Sequence, residues 1–505
     1  MASGSPDVVI IGSGMGGATL AYGIAETGAR IHILERGEVI AARPECRDPV
    51  AIFARGAFRP DETWLDGKGR AFNPGNYYYV GGNSKFYGAV LFRFRREDFE
   101  EIAHEGGTSP AWPIRYDDLE PYYCAAERLY QVRGDANGDP SEPPHSSDYD
   151  HPPVPDEEPI AQVRKRLETL GLRPFSLPLG VDIERWLAAG ATPWDAFPDT
   201  RSGKMDAETC GLAEALKHPN VSIETSAEVM RLIANPSNGQ IEGVEYQDRM
   251  GEACRLSPKL VILSAGAVNS AVLLLRSAND DYPSGLANRS DQVGRNFMNH
   301  NTSAMLTIDP RRVNNSVYQK TIGINDFYLS DGNGGPPLGN VQLLGRVSAP
   351  ILKANLRQVP MPLVSWIARH AIDWYLMSED LPDPDSRVRI DGSSRIVLEW
   401  RRSNMVPHRK LARHMRRIFR RAGFPIVLTK QFDRRTPSHQ CGTVRFGNDP
   451  ATSALDSYCR AHDHPNLFVV DASFMPSSAA VNPALTVAAQ ALRTADHLSQ
   501  TDLAA

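Results

Sequence analysis

The sequence predicts an α/β protein (α+β overall) with two domains: a Rossmann-like domain and a second domain with a mainly antiparallel sheet. Three observations predict this fold. A strand, a glycine-rich turn, a helix and a second strand follow one another at the amino terminus. A second strand–turn–helix unit lies near residue 260, and alternating strand-like runs occur between residues 301 and 430. A chain of 505 residues is also too long for one compact core.

The first unit is a strand of β-branched residues that runs directly into the motif G-x-G-x-x-G at positions 12–17. Gly12 allows the tight turn, Gly14 lets the backbone approach a pyrophosphate, and Gly17 lets the next helix, expected over 18–26, pack close to the sheet. Glu35 ends the second strand, where a carboxylate accepts hydrogen bonds from ribose hydroxyls. A glycine-rich turn that binds nothing is the alternative, but the order of the elements favours a dinucleotide site.

Three further segments are expected to converge on the same ligand. Residues 79–88 contain paired glycines and small polar residues, which allow close approach to a flat ligand. Residues 259–267 indicate a buried strand and a small-residue turn before a helix, as in a parallel sheet. Near the carboxyl terminus, Asp471 at a strand end can bind a cofactor hydroxyl. A helix whose first turn contains Pro483 can point its amino terminus at an isoalloxazine ring.

The block between residues 301 and 430 has a different pattern. Residues 387–398 predict a hairpin around the turn Asp391-Gly392-Ser393-Ser394. A helix is expected just before it, carrying Trp366, Ile367, Trp374 and Tyr375. This block is the candidate for the substrate-facing domain.

Composition argues against several classes of protein. The formal net charge of −5 is small for this length, so we expect neither nucleic acid nor a membrane as a partner. The sequence has no 18-residue apolar window and no leader-like amino terminus, which predicts a cytoplasmic protein. The six cysteines are scattered without a C-x-x-C motif, which indicates free thiols and no metal site.

One basic segment, residues 409–421, has an apolar face at helical spacing. A helix that binds nucleic acid or lipid has a similar pattern. The solvated face of a packed helix is favoured, because nothing else in the chain supports the alternative.

Through these motifs the chain resembles the glucose–methanol–choline (GMC) oxidoreductases. The resemblance covers most of the chain and is most specific where Asn482-Pro483-x-Leu485-Thr486 follows Ser438-His439-Gln440-Cys441-Gly442-Thr443. The other matching segments are the amino-terminal fingerprint, Gly81-Gly82-Asn83-Ser84, Gly294-Arg295-Asn296-Phe297-Met298-Asn299-His300 and Ser378-Glu379-Asp380-Leu381-Pro382.

The resemblance implies a GMC / p-hydroxybenzoate-hydroxylase-like architecture with FAD as the cofactor. Some relatives attach the flavin covalently through a histidine near the paired glycines, but residues 81–90 contain no histidine, so we expect non-covalent FAD. An asparagine usual in that segment is replaced here by Tyr87 or Gly88. The expected FAD contacts are Gly12, Ser13, Gly14, Gly17, Glu35, Arg36, Gly82, Asn83, Ser84, Val229, Ala265, Gly266, Asp471, Asn482, Pro483 and Thr486.

The domain organisation follows from the placement of these segments. The FAD-binding domain is expected to be discontinuous and to comprise residues 1–134, 205–300 and 431–505. Residues 135–204, which begin with a stretch rich in proline and acidic residues, are expected to form a linker or flap. Residues 301–430 are expected to bind the substrate.

In GMC oxidoreductases a histidine and a second histidine or asparagine flank the flavin N5, and these positions match His439 and Asn482. An imidazole can take the hydroxyl proton near neutral pH while hydride moves to N5, and a carboxamide can hold the same oxygen in place. The alternative is a structural histidine and a helix-capping asparagine, which the motif disfavours. His300 is the next candidate for lining the pocket.

Residues 77–88 most resemble the bacterial pyranose-oxidase-like branch, which includes C-glycoside 3-oxidases. We therefore expect oxidation of a pyranose hydroxyl to a ketone, first at C3 of a glycoside or C-glycoside. Asn340, Gln342, Trp366 and Trp374 are weak candidates for sugar contacts, since aromatic residues at helical spacing are more often core.

Several alternatives stay open at this point. The enzyme could be an FAD-dependent dehydrogenase of a non-sugar alcohol, choline-like or other, with a quinone-type acceptor. A flavin- or NAD-binding protein without alcohol chemistry is the alternative from another class, although a disulfide reductase would need a C-x-x-C motif. Oxygen and other electron acceptors, and a homo-oligomer, are all compatible with the sequence.

Overall fold

The computed structural model describes residues 5–190, 192–201, 203–433, 435 and 439–504. The strands are β1 (Val8–Ile11), β2 (Ile31–Glu35), β3 (Trp64–Asp66), β4 (Ala71–Phe72), β5 (Ile102–His104), β6 (Gly107–Ser109), β7 (Phe175–Ser176), β8 (Val221–Thr225), β9 (Glu228–Ala234), β10 (Ile241–Gln247), β11 (Ala253–Leu256), β12 (Leu260–Leu263), β13 (Asn301–Ile308), β14 (Ile322–Ile324), β15 (Asn340–Leu343), β16 (Ala371–Ser378), β17 (Arg387–Ile390), β18 (Ile396–Glu399), β19 (Ile426–Gln431) and β20 (Leu467–Val469).

The α-helices lie between these strands and after them. They are α1 (Met15–Ile24), α2 (Tyr116–Leu129), α3 (Glu158–Thr169), α4 (Ile183–Gly190), α5 (Ala213–Ala215), α6 (Ala267–Arg276), α7 (Ala349–Asn355), α8 (Met361–His370), α9 (Met405–Arg421) and α10 (Ala484–Gln500).

A parallel five-stranded sheet with the order β20-β12-β1-β2-β8 forms the frame of the amino-terminal fold. The central strand β1 is buried at every position, as its β-branched run predicts. The chain turns from β1 into α1 at Gly12, whose φ is +99°. A Cβ on Gly17 would lie 2.1 Å from the carbonyl oxygen of Gly12, so only glycine allows α1 to pack this close to the turn. The predicted Rossmann-like fold is confirmed.

The second large sheet has the order β19-β13-β16-β15-β14-β7, and all its pairings are antiparallel. Helix α9 contributes Leu411, Met415 and Phe419 to the core beside this sheet. These residues recur every fourth position, so one helix face is buried while Arg413 and Arg417 on other faces are exposed. The predicted hairpin is also present, as β17 pairs antiparallel with β18.

The prediction of a helix through Trp374 and Tyr375 is wrong. Helix α8 contains Trp366 and Ile367 and ends at His370, whereas Trp374 and Tyr375 lie in β16 between β13 and β15. Every residue of β16 is buried, so the sequence lacks the polar–apolar alternation that would have indicated a strand. Helix α1 also begins three residues before the expected start at residue 18.

The stretch expected to be a linker or flap packs against the rest of the chain. Residues 135–157 form no helix or strand, but Asp139 and Val154 within them are buried. Helices α3 and α4 follow. The domain boundaries given above stay a prediction.

Within the described ranges, no helix is both long and apolar enough to cross a lipid bilayer. No group of three His, Cys, Asp or Glu residues in the same ranges could hold a metal ion. The six cysteines are free thiols, and all except Cys254 are buried.

Candidate active site

The structure brings His439 and Asn482 together. Asn482 lies two residues before α10 and is followed by Pro483, which precedes the first residue of the helix. His439 lies in a turn with a φ of +65°, a left-handed conformation that is strained for a residue other than glycine. The side-chain amide nitrogen Nδ2 of Asn482 lies 3.2 Å from Nε2 of His439.

A second imidazole contacts the other nitrogen of His439. His300 immediately precedes β13, and its Nδ1 lies 2.8 Å from Nδ1 of His439. Nε2 of His300 donates a hydrogen bond of 2.8 Å to the carbonyl oxygen of Ser478. His300, which the sequence indicated only as a pocket-lining residue, is therefore bonded directly to His439.

A row of side-chain amides leads away from Asn482; we call Asn482, Gln342, Asn340 and Asn325 the carboxamide chain. Nε2 of Gln342 donates to Oδ1 of Asn482 at 2.9 Å and to Oδ1 of Asn340 at 3.0 Å. Nδ2 of Asn340 then donates to Oδ1 of Asn325 at 2.7 Å. Asn340 and Gln342 share one face of β15 because side chains two residues apart in a strand point the same way.

The carboxamide chain ends at a buried carboxylate. Nδ2 of Asn325 donates to Oδ2 of Asp139 at 2.7 Å. The same carboxylate forms an ion pair with Arg95, which also pairs with Glu142 at 3.2 Å. The guanidinium of Arg95 is fully buried, and its positive charge partly compensates the two buried carboxylates.

Low pKa values favour the neutral form of both imidazoles in this candidate site. Burial lowers the pKa of His439 well below its usual 6.5, and the neighbouring His300 and Lys320 lower it further. Burial likewise lowers the pKa of His300. A neutral imidazole has one N–H and one lone pair, so each ring can donate one hydrogen bond and accept another.

Lys320, whose charge lowers the pKa of His439, is a member of an ion pair. Its ammonium contacts a carboxylate oxygen of Asp195 at 2.8 Å, and the backbone N–H of Gly345 donates to the same oxygen at 2.9 Å. A Cβ on Gly88 would lie 2.6 Å from Cε of Lys320. The pair therefore packs against the glycine-containing segment 79–88.

The predicted FAD contacts at the amino terminus form one cluster. Ser13 donates through its hydroxyl to Glu35 at 2.7 Å and accepts from the backbone N–H of Gly81 at 3.1 Å. A Cβ on Gly82 would lie 3.3 Å from Cα of Gly14. The paired glycines thus meet the G-x-G-x-x-G turn, although about 70 residues of chain separate the two segments.

The geometry of this cluster fits a dinucleotide. A Cβ on Gly14 would meet no atom within 4 Å, so the turn has open space beside it. That space lies at the start of α1, whose free backbone N–H groups favour a phosphate. The carboxylate of Glu35 ends the adjacent strand β2. The residues present therefore fit FAD, and Gly12, Gly14 and Gly17 would hold its pyrophosphate while Glu35 would hold its ribose.

The carboxylate of Asp471 stabilises the turn at Gly266 by accepting hydrogen bonds. It accepts from the backbone N–H of Gly266 at 2.9 Å and from that of Ser473 at 2.8 Å, and burial raises its pKa. Ala265 donates its backbone N–H to the hydroxyl of Ser270. A Cβ on Gly266 would meet no atom within 4 Å, which is a second open position at the end of the parallel sheet.

The remaining predicted contacts lie beside these clusters and bond to protein groups. The guanidinium of Arg36 lies 4.0 Å over the ring of Tyr78. Val229 lies in β9, opposite Tyr246. Asn83 accepts a hydrogen bond from the backbone N–H of Tyr77, and Ser84 accepts one from the backbone N–H of Ala207. The hydroxyl of Thr486 is hydrogen-bonded to that of Tyr123.

Sequence reasoning missed several groups near His439 and along the carboxamide chain that begins at Asn482. Ser478, Asn325, Asp139 and Lys320 were not identified. A signal was present for the strand β15, because Asn340 and Gln342 interrupt a buried strand with two polar residues on the same face.

The chain is similar to several known proteins. The chain matches the description "GMC oxidoreductase" over residues 188–302 and again over residues 382–491, and "NAD(P)-binding Rossmann-like domain" over residues 10–78. It is 30% identical to 6'''-hydroxyparomomycin C oxidase of Streptomyces lividus, over 98% of this chain and 92% of that protein. It is 26% identical to the fructose dehydrogenase large subunit of Gluconobacter japonicus, over 97% of each chain.

A solved structure has the same fold. Pyridoxine 4-oxidase from Mesorbium loti superposes with a TM-score of 0.68 over 98% of this chain and 99% of its own, at 20% identity.

Proposed function

The chain belongs to the GMC oxidoreductase family, and on that basis we propose that it oxidises a secondary hydroxyl of a sugar to a ketone. The proposed substrate is a pyranose in a glycoside or C-glycoside, with C3 as the reacting position. The proposed cofactor state is non-covalent FAD, and His439 is the proposed general base. The observation that carries this proposal is the contact between His439 and Asn482, 3.2 Å apart.

The two side chains are complementary to a hydroxyl group. A hydroxyl donates one hydrogen bond and accepts others. A hydroxyl oxygen that lies beside this pair and contacts both atoms would donate its proton to Nε2 of His439 and accept from Nδ2 of Asn482. His439 is neutral at neutral pH because burial lowers its pKa, so Nε2 can take the proton.

Asn482 acts by positioning. Its N–H stays on the substrate oxygen as negative charge develops there, which favours the reacting arrangement over others. When bound, FAD supplies the acceptor for the hydride that leaves the carbon. The side chains around the oxygen therefore have only two tasks, which are to accept its proton and to fix its orientation.

Two features favour a sugar. The relatives described above include enzymes named for hydroxyparomomycin and for fructose. Lys320 and Asp195 also provide a buried charged pair near His439, which suits a substrate with several hydroxyls better than an apolar alcohol.

The experiment is an anaerobic screen of the purified flavoprotein. Glycosides, C-glycosides, free sugars and a simple diol are mixed with the enzyme, and loss of the oxidised flavin absorbance is followed. Dithionite reduction controls for a reducible flavin. The proposal expects fast bleaching by a glycoside and a 3-keto product identified by NMR. Bleaching by the simple diol but by no sugar would contradict it.

The acceptor is tested in the same preparation. After anaerobic reduction by the glycoside, either oxygen or a quinone is added, and the rate at which the oxidised flavin absorbance returns is compared. The faster of the two identifies the class of acceptor.

A further inference from the structure

We propose that Gln342 is a positioning residue: held by the rest of the carboxamide chain, it orients Asn482 so that Nε2 of His439 is the unprotonated nitrogen. The inference rests on the proposed function only in assigning the base to Nε2. The hydrogen-bond directions that carry it do not depend on the substrate.

Asp139 determines the order of donors and acceptors along the carboxamide chain. This carboxylate is ion-paired with Arg95 and can only accept hydrogen bonds. Asn325 must therefore present its Nδ2 to Asp139, which leaves its Oδ1 to face Asn340. Asn340 in turn must present Nδ2 to Asn325 and Oδ1 to Gln342.

Gln342 extends the same order of donors and acceptors to Asn482 and His439. Its Nε2 has two hydrogens, and one is bound by Asn340 while the other is bound by Oδ1 of Asn482. Because the oxygen of Asn482 faces Gln342, its Nδ2 faces His439 at 3.2 Å. An N–H donor at this position requires a lone pair on Nε2 of His439.

The opposite end of the network requires the same arrangement. The carbonyl oxygen of Ser478 can only accept, so Nε2 of His300 carries a hydrogen. In a neutral ring, Nδ1 of His300 is then the acceptor, and Nδ1 of His439 must be the donor across their 2.8 Å contact. A neutral His439 with hydrogen on Nδ1 has its lone pair on Nε2.

Two independent acceptors, a carboxylate and a backbone carbonyl, therefore determine one tautomer from opposite sides. Reversing any one amide would place two N–H donors, or two oxygens, against each other, and Asn325, Asn340 and Gln342 are all buried. Water cannot compensate such a mismatch there. The network thus favours the tautomer that can accept a hydroxyl proton at Nε2.

The direct test is nitrogen NMR of the holoenzyme labelled with ¹⁵N-histidine, without substrate. His439 is assigned from the signals lost in His439→Gln. We expect hydrogen on Nδ1 and none on Nε2. Hydrogen on Nε2 of His439 in the wild-type protein would overturn the inference. Because no substrate is present, a failure of the proposed function would leave this result unaffected.

Two variants test the role of Gln342 itself. Gln342→Met removes both donors at similar size, and we expect flavin reduction by substrate to slow by on the order of 10²-fold, with a smaller change in KM. Gln342→Glu cannot donate when ionised, but regains a donor when protonated. Its rate should therefore rise as the pH falls, whereas the wild-type rate does not. Gln247→Glu, an exposed position on β10, is the matched control.

A Gln342→Glu pH profile parallel to that of the wild type would show that Gln342 does not set the donor direction. If either variant loses FAD, the NMR measurement on the wild-type protein still decides the tautomer.

Discussion

The Nδ1 atoms of His300 and His439 lie 2.8 Å apart, so one hydrogen lies between these two imidazoles, of which His300 is buried and His439 is partly buried. Two positive charges cannot be accommodated at this separation without water. Each ring therefore disfavours protonation of the other, in addition to the effect of burial on both pKa values. In the proposed reaction the pair starts neutral and gains one proton when His439 acts as the base.

The first prediction concerns pH. A base with a pKa below 6.5 is active above that pKa and loses activity as the pH falls through it. Burial, His300 and Lys320 all lower the pKa of His439. We therefore expect the rate of flavin reduction to stay level from pH 8 to below pH 6.5 and to fall only at lower pH. Stopped-flow measurements that find the acid limb at or above 6.5 would contradict this.

His300→Gln provides the control for that profile. The change removes one of the groups that lower the pKa of His439. We expect the acid limb to move to higher pH in this variant, and an unchanged limb would show that His300 has no electrostatic effect on His439.

The second prediction separates FAD binding from folding. Gly14 has a φ of −69° and open space at its Cβ position, so Gly14→Ala is expected to fold normally and to lose FAD, because the new methyl group occupies the space for the pyrophosphate. Gly12→Ala is the contrast and should destabilise the fold itself, because the φ of Gly12 is +99° and a Cβ there would lie 2.4 Å from the carbonyl oxygen of Ser264. Flavin absorbance per protein and thermal unfolding measure the two effects. Full FAD content in Gly14→Ala would place the pyrophosphate elsewhere.

The third prediction concerns a buried lysine in the paired-glycine segment. The ammonium of Lys85 lies 2.9 Å from Asp206 and 2.6 Å from Glu208, and all three side chains are buried. Lys85→Met leaves the buried Asp206 carboxylate without its ion pair and Glu208 with only the more exposed Arg201, and we expect a loss of about 3–5 kcal/mol in the free energy of unfolding. Lys217→Met, which removes an exposed ion pair with Glu214, is expected to change little. Urea unfolding with equal losses in both variants would refute this explanation.

The fourth prediction concerns attachment of the flavin. Residues 81–90 contain no histidine or cysteine to form a covalent bond. Precipitation with acid should therefore release all the flavin into the supernatant. Flavin that stays with the pelleted protein, detected by its absorbance, would show a covalent bond.

Much of the Rossmann-like part could be predicted from local sequence. The run 8–11 is short, apolar and β-branched, and it ends at a glycine motif, so both its conformation and its burial follow from neighbouring residues. Trp374 and Tyr375 could not be assigned in this way. Their strand is buried on both faces, and an apolar run without alternation is as compatible with a buried helix.

The surroundings of His439 depend on contacts that local patterns do not contain. Asn325 and Asp139 are separated by 186 residues, and Asp139 belongs to a stretch whose composition is typical of a solvated loop. Only the tertiary structure shows that this carboxylate is buried against Arg95. The motif around Asn482 predicted the pair with His439, but it contains no information on the amides behind it.

The fifth prediction is the most direct test of the central claim, that His439 takes the hydroxyl proton. The measurement is the rate of anaerobic flavin reduction in His439→Ala by a glycoside that reduces the wild-type enzyme. The side chain contacts His300 and Asn482 and none of the predicted pyrophosphate or ribose contacts. The variant should therefore keep its FAD and be reduced by dithionite, while reduction by the glycoside slows by about 10²–10⁴-fold. A variant that the glycoside reduces at the wild-type rate would contradict this account.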